Sequence, residues 1–235
     1  GKPIPHFCYH KKLSVTASCR MCLVEVGKMS KLVPACATPV TEGMVVRTDT
    51  EEVIKARRAV MEFLLINHPL DCPVCDQGGE CLLQDYSVEY GANASRYQED
   101  ESLYPVHTLI RFGTEIGGLT EFGMVNHGDR SEITTFPTTW VNSELSGNMI
   151  DVCPVGALTS KPFRYKARGW ELASHFSVSP HDGLGSNLNV QTLRGKVMRV
   201  LPFANEAVNE CWLSDRDRFS YEALGSSDRL AVPRV

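Results

Sequence analysis

The first 47 positions contain short apolar runs of β-strand character, at residues 21–26 and 44–47. Loops that contain cysteines separate these runs. Residues 31–40 include Pro34 and Pro39, so we expect an irregular segment there that ends in a loop. The pattern predicts a small β-containing unit whose cysteines lie in its loops.

An amphipathic helix is predicted to follow these runs. Thr48 can cap it, because Glu51 stands three residues later as in a capping box. The apolar residues that recur at helical spacing are Val53, Ala56, Val60, Phe63 and Leu64. Pro69 is expected to stop the helix and to leave His68 at its exit, facing the cysteines that follow.

In the chain after the predicted helix, turn-forming residues separate the predicted elements. Gly78 and Gly79 allow the backbone to fold tightly around whatever the neighbouring cysteines hold. Residues 187–191 and 196–201 predict the two strands of a β-hairpin. The character of the chain changes after Trp170, and we place a domain boundary near that residue.

Composition narrows the classes of function. The chain has 235 residues, of which 43% are apolar and 22% charged, as in ordinary globular proteins. Its net charge of −4 gives no support to nucleic-acid binding. No apolar run approaches the ~20 residues of a spanning helix, so we expect membrane contact only through partners. The nine cysteines are odd in number and include C-x2-C pairs, which favours intracellular metal binding over disulfides.

Seven cysteines and one histidine fall within the first 81 residues and form two groups. The first group, spaced C-x10-C-x2-C-x13-C, is Cys8, Cys19, Cys22 and Cys36. The second group, spaced H-x3-C-x2-C-x5-C, is His68, Cys72, Cys75 and Cys81. Each group supplies the four ligands that an iron–sulfur cluster or a zinc ion needs. For the first group, the spacing alone leaves zinc and a [2Fe–2S] cluster open.

The residues around the first group resemble a known family. IPHFCYH at residues 4–10, CRMCLVEV at 19–26 and PACATP at 34–39 are similar to the [2Fe–2S] domain of the large iron–sulfur subunit of respiratory complex I. That subunit is called the 75-kDa subunit in mitochondria and the G subunit in bacteria. The resemblance implies a ferredoxin-like β-grasp domain. It assigns the [2Fe–2S] ligands to Cys8, Cys19, Cys22 and Cys36.

The second group resembles another site of the same family. NHPLDCPVCDQGGEC at residues 67–81 is similar to its [4Fe–4S] site, which has one histidine and three cysteine ligands. The resemblance implies that His68 binds iron through one ring nitrogen, while a hydrogen bond orients the other nitrogen. Cys72, Cys75 and Cys81 would supply the remaining ligands.

The chain departs from the family at a third cluster site. The family has C-x2-C-x2-C before an apolar-Arg-Phe stretch, which is residues 110–112 here, and a fourth cysteine that corresponds to Cys153. The three other ligand positions are Leu103, Val106 and Leu109, none of which binds iron. Either a second [4Fe–4S] cluster is absent and Cys153 is a buried thiol, or the sequence lacks residues between about 98 and 109.

Two further departures concern the ends of the chain. Gly1 falls just before the first ligand cysteine, so we expect the early strands of the β-grasp domain to be missing. After Trp170, relatives of molybdopterin-enzyme ancestry carry four cysteine ligands. The corresponding positions here are Ser179, Asp182, Ser186 and Cys211, which predicts that this segment holds no cluster.

The expected fold class is α+β, in three parts. Residues 1–47 form a [2Fe–2S] ferredoxin-like domain, and residues 48–169 a small, mostly helical or irregular [4Fe–4S] domain with an incomplete second cluster site. Residues 170–235 begin a β-rich domain like that of molybdopterin oxidoreductases.

The resemblance implies an electron-transfer subunit of NADH:quinone oxidoreductase with no active site of its own. Its partners would be the NADH- and FMN-binding flavoprotein subunit and the subunits that lead to quinone. The chain itself would bind neither NAD nor flavin. It would lie in the peripheral arm, on the matrix side of the mitochondrial inner membrane or the cytoplasmic side of a bacterial membrane.

Two alternatives stay open. One is the diaphorase iron–sulfur subunit of an NAD-linked hydrogenase or a formate dehydrogenase, which shares the first two sites. The other belongs to a different class, a redox-inactive scaffold that keeps clusters or zinc only for folding. The apolar residues at positions 103, 106 and 109 are its best support.

Overall fold

The computed structural model describes residues 2–94, 96, 107–120, 122–126, 131–135, 140–230 and 232. They form an α+β arrangement of small antiparallel sheets and short helices. The strands are Leu23–Val26 (β1), Val33–Pro34 (β2), Val46–Arg47 (β3), Phe122–Val125 (β4), Glu132–Thr135 (β5), Ala173–Val178 (β6), Asn187–Leu193 (β7) and Lys196–Pro202 (β8). The α-helices are Glu51–Leu65 (α1), Leu82–Tyr90 (α2), His107–Phe112 (α3), Asn148–Val152 (α4) and Asp215–Phe219 (α5).

β1 is the central strand of the first sheet, in the order β2-β1-β3. Val24 and Val26 of this strand are buried, while the residues between them are partly exposed, as expected for a strand with one packed face. The predicted strand runs are thus confirmed but shorter than expected. Residues 31–40 are more regular than predicted, since they contain β2 and a 3-10 turn, Ala35–Ala37.

Helix α1 is present, but its predicted cap is wrong. The N-cap is Thr50, whose side-chain oxygen accepts a hydrogen bond from the N–H of Val53 at 3.4 Å, and not Thr48. The cap lies two residues later because Thr50 has the extended backbone that an N-cap requires and the helix begins at Glu51. Val53 is fully buried as expected, whereas Phe63 is 51% exposed and does not belong to the packed stripe.

Two apolar clusters surround the cysteine-bearing segments. The first contains Met21, Met61, Cys81 and Leu83, with Cys19 and Val60 among the residues packed against it. The second contains Leu13, Leu109, Phe112, Met149, Val152 and Cys153. The core of this part of the chain therefore includes several of the cysteines that the sequence assigns to clusters.

The third sheet has the order β6-β7-β8. Its β7–β8 hairpin was predicted, and the structure confirms it. Arg194 and Gly195 have φ values of +50° and +78°, as in the two-residue turns that match the twist of antiparallel strands. The edge strand β6 was not predicted, because its side chains are all exposed and leave no alternating pattern. No helix among the described residues combines the length and the apolar character needed to cross a bilayer.

A buried side chain joins helix α4 to the segment that precedes helix α5. Asn148 is fully buried, and its Nδ2 donates to the carbonyl oxygens of Leu145 and Leu213 at 2.9 and 2.7 Å. Its Oδ1 accepts from the N–H of Leu213 at 2.8 Å. The peptide groups of Leu213 thus have their partners in one side chain of α4.

Replacing Asn148 with leucine should destabilise the protein strongly. Leucine has a similar volume but leaves two buried peptide groups at Leu213 without partners, and each such group costs about 1–3 kcal/mol. We expect the free energy of unfolding to fall by about 2–4 kcal/mol and the thermal midpoint to fall by several degrees, measured at equal iron content. Asn142→Leu, at an exposed position, is the control and should change stability by less than about 0.5 kcal/mol. Equal midpoints for the two variants would contradict this role.

Candidate iron–sulfur sites

The four cysteines of the first group lie in loops around the first sheet. Cys22 directly precedes β1, and Cys36 lies in the 3-10 turn after β2. Cys8 and Cys22 are buried, whereas Cys19 and Cys36 are partly exposed. Ala17 and Arg20 have positive φ values of 52° and 59°, which folds the backbone sharply on both sides of Cys19.

These four cysteines meet as two pairs. The N–H of Cys19 donates to Sγ of Cys8 at 3.5 Å, and the thiols of Cys22 and Cys36 are 3.4 Å apart. A single tetrahedral zinc would bring all four sulfurs within about 3.8 Å of one another, since Zn–S bonds are about 2.3 Å. Within the described parts of the chain, no three histidine, cysteine or acidic side chains converge closely enough to hold a single metal ion. Two separate pairs fit a binuclear cluster, in which each iron takes two protein ligands.

Hydrogen bonds set the charges of these thiols. The thiol of Cys19 donates to Cys8 and lowers the pKa of Cys8 to about 4, with smaller contributions from its backbone N–H, Ser18 and Thr16. The same bond, together with burial, raises the pKa of Cys19. Burial and the contact with Cys22 raise the pKa of Cys36 to about 12. These hydrogen bonds favour the thiolate at Cys8 and the protonated thiol at Cys19, so binding of iron has to displace the proton that the pair shares.

The second group begins just after helix α1. The helix ends at Leu65, and the N–H of His68 donates to the carbonyl of Leu65 at 3.1 Å. Burial lowers the pKa of His68, so the imidazole is neutral at pH 7, which is the form that binds a metal. The structure places His68 at the helix exit, as the sequence predicted, although the helix ends before Pro69 is reached.

The three cysteines of the second group lie on a tight turn and at a helix start. The N–H groups of Val74 and Cys75 both donate to the carbonyl of Asp71, at 2.9 and 2.8 Å. Cys81 is the N-cap residue of α2, and burial raises its pKa, an effect that hydrogen bonds from the backbone N–H groups of Gln84 and Leu83 oppose. These N–H groups point at the sulfur and would stabilise it as a thiolate ligand.

Residues distant in sequence fit around this turn. Gly79 has φ +88°, and a side chain there would collide with the indole of Trp170. A Cβ atom on Gly156 would collide with Sγ of Cys75. The sulfur of Cys75 thus occupies a space that only a glycine at position 156 leaves open. Reasoning from local patterns assigned no role to Gly156 or Trp170, because neither stands near the cysteines along the chain.

The third candidate site does not fit a cluster in the described residues. Cys153 is buried, and its thiol donates to the carbonyl of Val155 at 2.9 Å. Leu109, at one of the expected ligand positions, packs in the same apolar cluster as Cys153. Leu103 and Val106 lie outside the described residues. Cys153 is therefore a packed thiol among apolar side chains in the part of the chain that is described.

Hydrogen bonds connect the residues at the fourth candidate site. Ser179 Oγ donates to Asp217 Oδ1 at 2.5 Å, and Ser186 Oγ donates to Asp182 Oδ2 at 2.7 Å. The hydroxyl of Ser179 also accepts from the N–H of Asp182 at 3.3 Å. Serine hydroxyls and a carboxylate engaged in this way are not the soft ligands that iron–sulfur clusters take. The prediction that this segment holds no cluster stays a prediction.

Family models match most of the chain in consecutive segments. Residues 1–51 match a 2Fe-2S iron-sulfur cluster binding domain, and residues 57–96 match the NADH-ubiquinone oxidoreductase-G iron-sulfur binding region. Residues 108–159 match the ferredoxin-like domain of NADH-quinone oxidoreductase subunit 3. Residues 174–222 match the NADH-ubiquinone oxidoreductase NDSU1/NuoG-like 4Fe-4S domain.

Curated relatives are similar over the whole chain. It is 50% identical to the G subunit of NADH-quinone oxidoreductase from Rickettsia typhi, covering 100% of this chain and 37% of that protein. It is 49% identical to NADH dehydrogenase [ubiquinone] iron-sulfur protein 1 of Solanum tuberosum, covering 100% of this chain and 34% of that protein. The chain thus spans little more than a third of the length of these relatives.

The alignment with one relative is longer than this chain. The alignment with the Rickettsia typhi protein runs over 252 positions against the 235 residues of this chain, so at least 17 positions of that alignment have no residue here. The two alternatives for the third site, an absent cluster and residues missing from the sequence, both stay open.

A solved structure shows the same fold over much of the chain. A chain of an NAD+-reducing [NiFe]-hydrogenase in the H2-reduced state superposes with a TM-score of 0.61. The match covers 71% of this chain and 79% of the other, at 24% identity, and therefore speaks to the fold alone. The family models and the curated relatives agree on a more specific assignment. The chain belongs to the family of iron–sulfur subunits of NADH:quinone oxidoreductase that are called the G subunit in bacteria and the 75-kDa subunit in mitochondria.

Proposed function

We propose that this chain carries electrons within NADH:quinone oxidoreductase, through a [2Fe–2S] cluster on the first group and a [4Fe–4S] cluster on the second. The observation that carries the proposal is the pairing of Cys8 with Cys19 and of Cys22 with Cys36, which suits two irons and not one zinc. Such clusters supply one-electron redox chemistry when bound. The chain itself supplies ligands, hydrogen bonds and a dry surrounding.

One apolar cluster supports a route between the two sites. Cys81 of the second group lies in the cluster that also contains Met21, the neighbour of Cys22. Cys19 of the first group packs against the same residues. The two ligand sets therefore border one packed interior, where a low dielectric and the exclusion of water favour direct electron transfer and protect the clusters.

The finer parts of the proposal follow from the family. Electrons would enter from the subunit that binds NADH and FMN and would leave toward subunits that bind quinone, so this chain would bind neither nucleotide nor flavin. It would lie in the peripheral arm, on the matrix or the cytoplasmic face, and would reach the membrane only through other subunits. Residues 170–235 would begin a domain like that of molybdopterin oxidoreductases. The third cluster is not part of the proposal, because Cys153 is packed among apolar residues.

Changing one cysteine of the first group should remove one cluster and leave the other. We expect Cys36→Ala to abolish the [2Fe–2S] signal in the electron paramagnetic resonance (EPR) spectrum of the dithionite-reduced complex, because one iron loses a ligand, while the [4Fe–4S] signal persists. Cys211→Ala, which removes a cysteine outside both groups, is the control and should keep both signals. Zinc in place of iron by elemental analysis would contradict the electron-carrier function.

Activity separates an electron carrier from a scaffold. If the second cluster lies on the electron path, Cys72→Ala should abolish quinone reduction by NADH in the assembled complex. A scaffold predicts instead that Cys72→Ala lowers stability and leaves the rate of NADH oxidation per assembled complex unchanged.

Gly156→Ala should act on the second cluster alone. The new methyl group would collide with Sγ of Cys75, and a free cysteine can rotate away but a cluster ligand cannot. We expect loss or distortion of the [4Fe–4S] signal with an unchanged [2Fe–2S] signal. Gly183→Ala is the matched control, because a Cβ at that position has open space around it. Identical spectra for both variants would show that Cys75 does not hold a ligand position beside Gly156.

A further inference from the structure

One arginine from a distant segment holds the turn of the second group. The guanidinium of Arg168 donates to the carbonyl oxygen of the ligand residue Cys75 at 2.5 Å and to that of Pro73. Gly78 makes room for it, since a Cβ there would lie 2.9 Å from Nη1 of Arg168. The arginine thus binds the backbone of the ligand turn across 93 residues of sequence.

A second arginine does the same at the first group. The guanidinium of Arg111 is buried, and it donates to the carbonyl oxygen of the ligand residue Cys8 at 2.5 Å and to that of Ser14. Glu115 accepts from the N–H of Ser14 at 2.8 Å and holds the other end of the same loop. Both candidate clusters therefore have a guanidinium on the backbone carbonyl of one ligand cysteine.

Carbonyl oxygens, and no carboxylate among the described residues, hold the guanidinium of Arg168. Glu171 accepts from the backbone N–H of Arg168 at 2.7 Å. The guanidinium therefore places a positive charge beside a ligand cysteine.

We propose that Arg168 and Arg111 are positioning residues that also set the reduction potentials of the second and the first cluster, respectively. The inference rests on the proposed function, since it requires the two clusters. An iron–sulfur cluster with its thiolates gains one negative charge on reduction. A guanidinium close to a ligand cysteine stabilises the reduced state and raises the potential, and the two carbonyl bonds keep its charge at a fixed place.

The test is a pair of reciprocal substitutions in the assembled complex. In redox titrations followed by EPR, Arg168→Gln should lower the electron affinity of the [4Fe–4S] cluster about tenfold, which is about 59 mV for a one-electron couple, and leave the [2Fe–2S] cluster unchanged. Arg111→Gln should lower the potential of the [2Fe–2S] cluster by a similar amount and leave that of the [4Fe–4S] cluster unchanged. Arg164→Gln removes an equal charge from an exposed side chain four residues before Arg168 and should shift neither potential.

Lysine variants distinguish an effect of the positive charge from a loss of order in the ligand-bearing turn. Arg168→Lys and Arg111→Lys keep the charge and lose the two-pronged donor, and we expect most of the potential to be recovered. If a glutamine variant loses its cluster, the lysine variant should restore the cluster with a potential near that of the wild type. Unchanged potentials in both glutamine variants would overturn the inference. It would also be overturned if the potential of a lysine variant fell as far as that of the glutamine variant, or if the lysine variant lost its cluster as well.

The outcome in the unmodified complex distinguishes the two proposals. If the wild type shows neither a [2Fe–2S] nor a [4Fe–4S] signal, the proposed function fails. If the wild type shows both signals and the glutamine variants titrate like it, only the role of the arginines fails.

Discussion

The ligand-bearing loops depend on being held from outside. A cluster needs its sulfurs at fixed places, but most of the ligand residues lie in loops and turns outside the α-helices and strands. The carbonyl groups of Cys8 and Cys75 accept from Arg111 and Arg168, which stand far away along the chain, and the carbonyl of Cys75 also accepts from the N–H of Gly78 at 3.0 Å. Both contacts bring a later segment of the chain back onto an earlier ligand-bearing segment.

The second constraint is that both ligand sets border one dry interior. Met21, Met61, Cys81 and Leu83 form this interior, and helix α1 supplies Met61 from the chain between the two groups. A change in packing here would alter both sites at once, whereas the arginine contacts act on one site each. The protein thus combines a shared apolar core with separate polar supports. If both groups hold clusters, as we propose, this separation would let each arginine adjust the potential of one cluster without changing the other.

Local patterns predicted the parts of the structure that depend on neighbours in sequence. Helix α1 and the β7–β8 hairpin follow from periodicity and a two-residue turn, whereas the two ligand groups, expected from their spacing, stay a prediction. The predicted N-cap of α1 was wrong, because two threonines stand close together and the backbone conformation decides that Thr50, and not Thr48, is the cap. Strand β6 has no buried face and so left no pattern. The roles of Gly156, Arg111 and Arg168 rest on contacts between distant segments, which no local pattern contains.

The two remaining candidate sites differ in how the described residues around them pack. Around Cys153, Leu109 and its neighbours form an apolar cluster, which gains stability from burial and carries no charge. Around Ser179, the side chains of Asp182, Ser186 and Asp217 bind one another and the backbone, so buried polar atoms find partners without metal. The surroundings of Cys153 are thus largely apolar, whereas the polar side chains around Ser179 are paired with one another. Among the described residues, neither provides a set of four soft ligands like those of the first two groups, and our proposal of electron transfer therefore rests on those two groups.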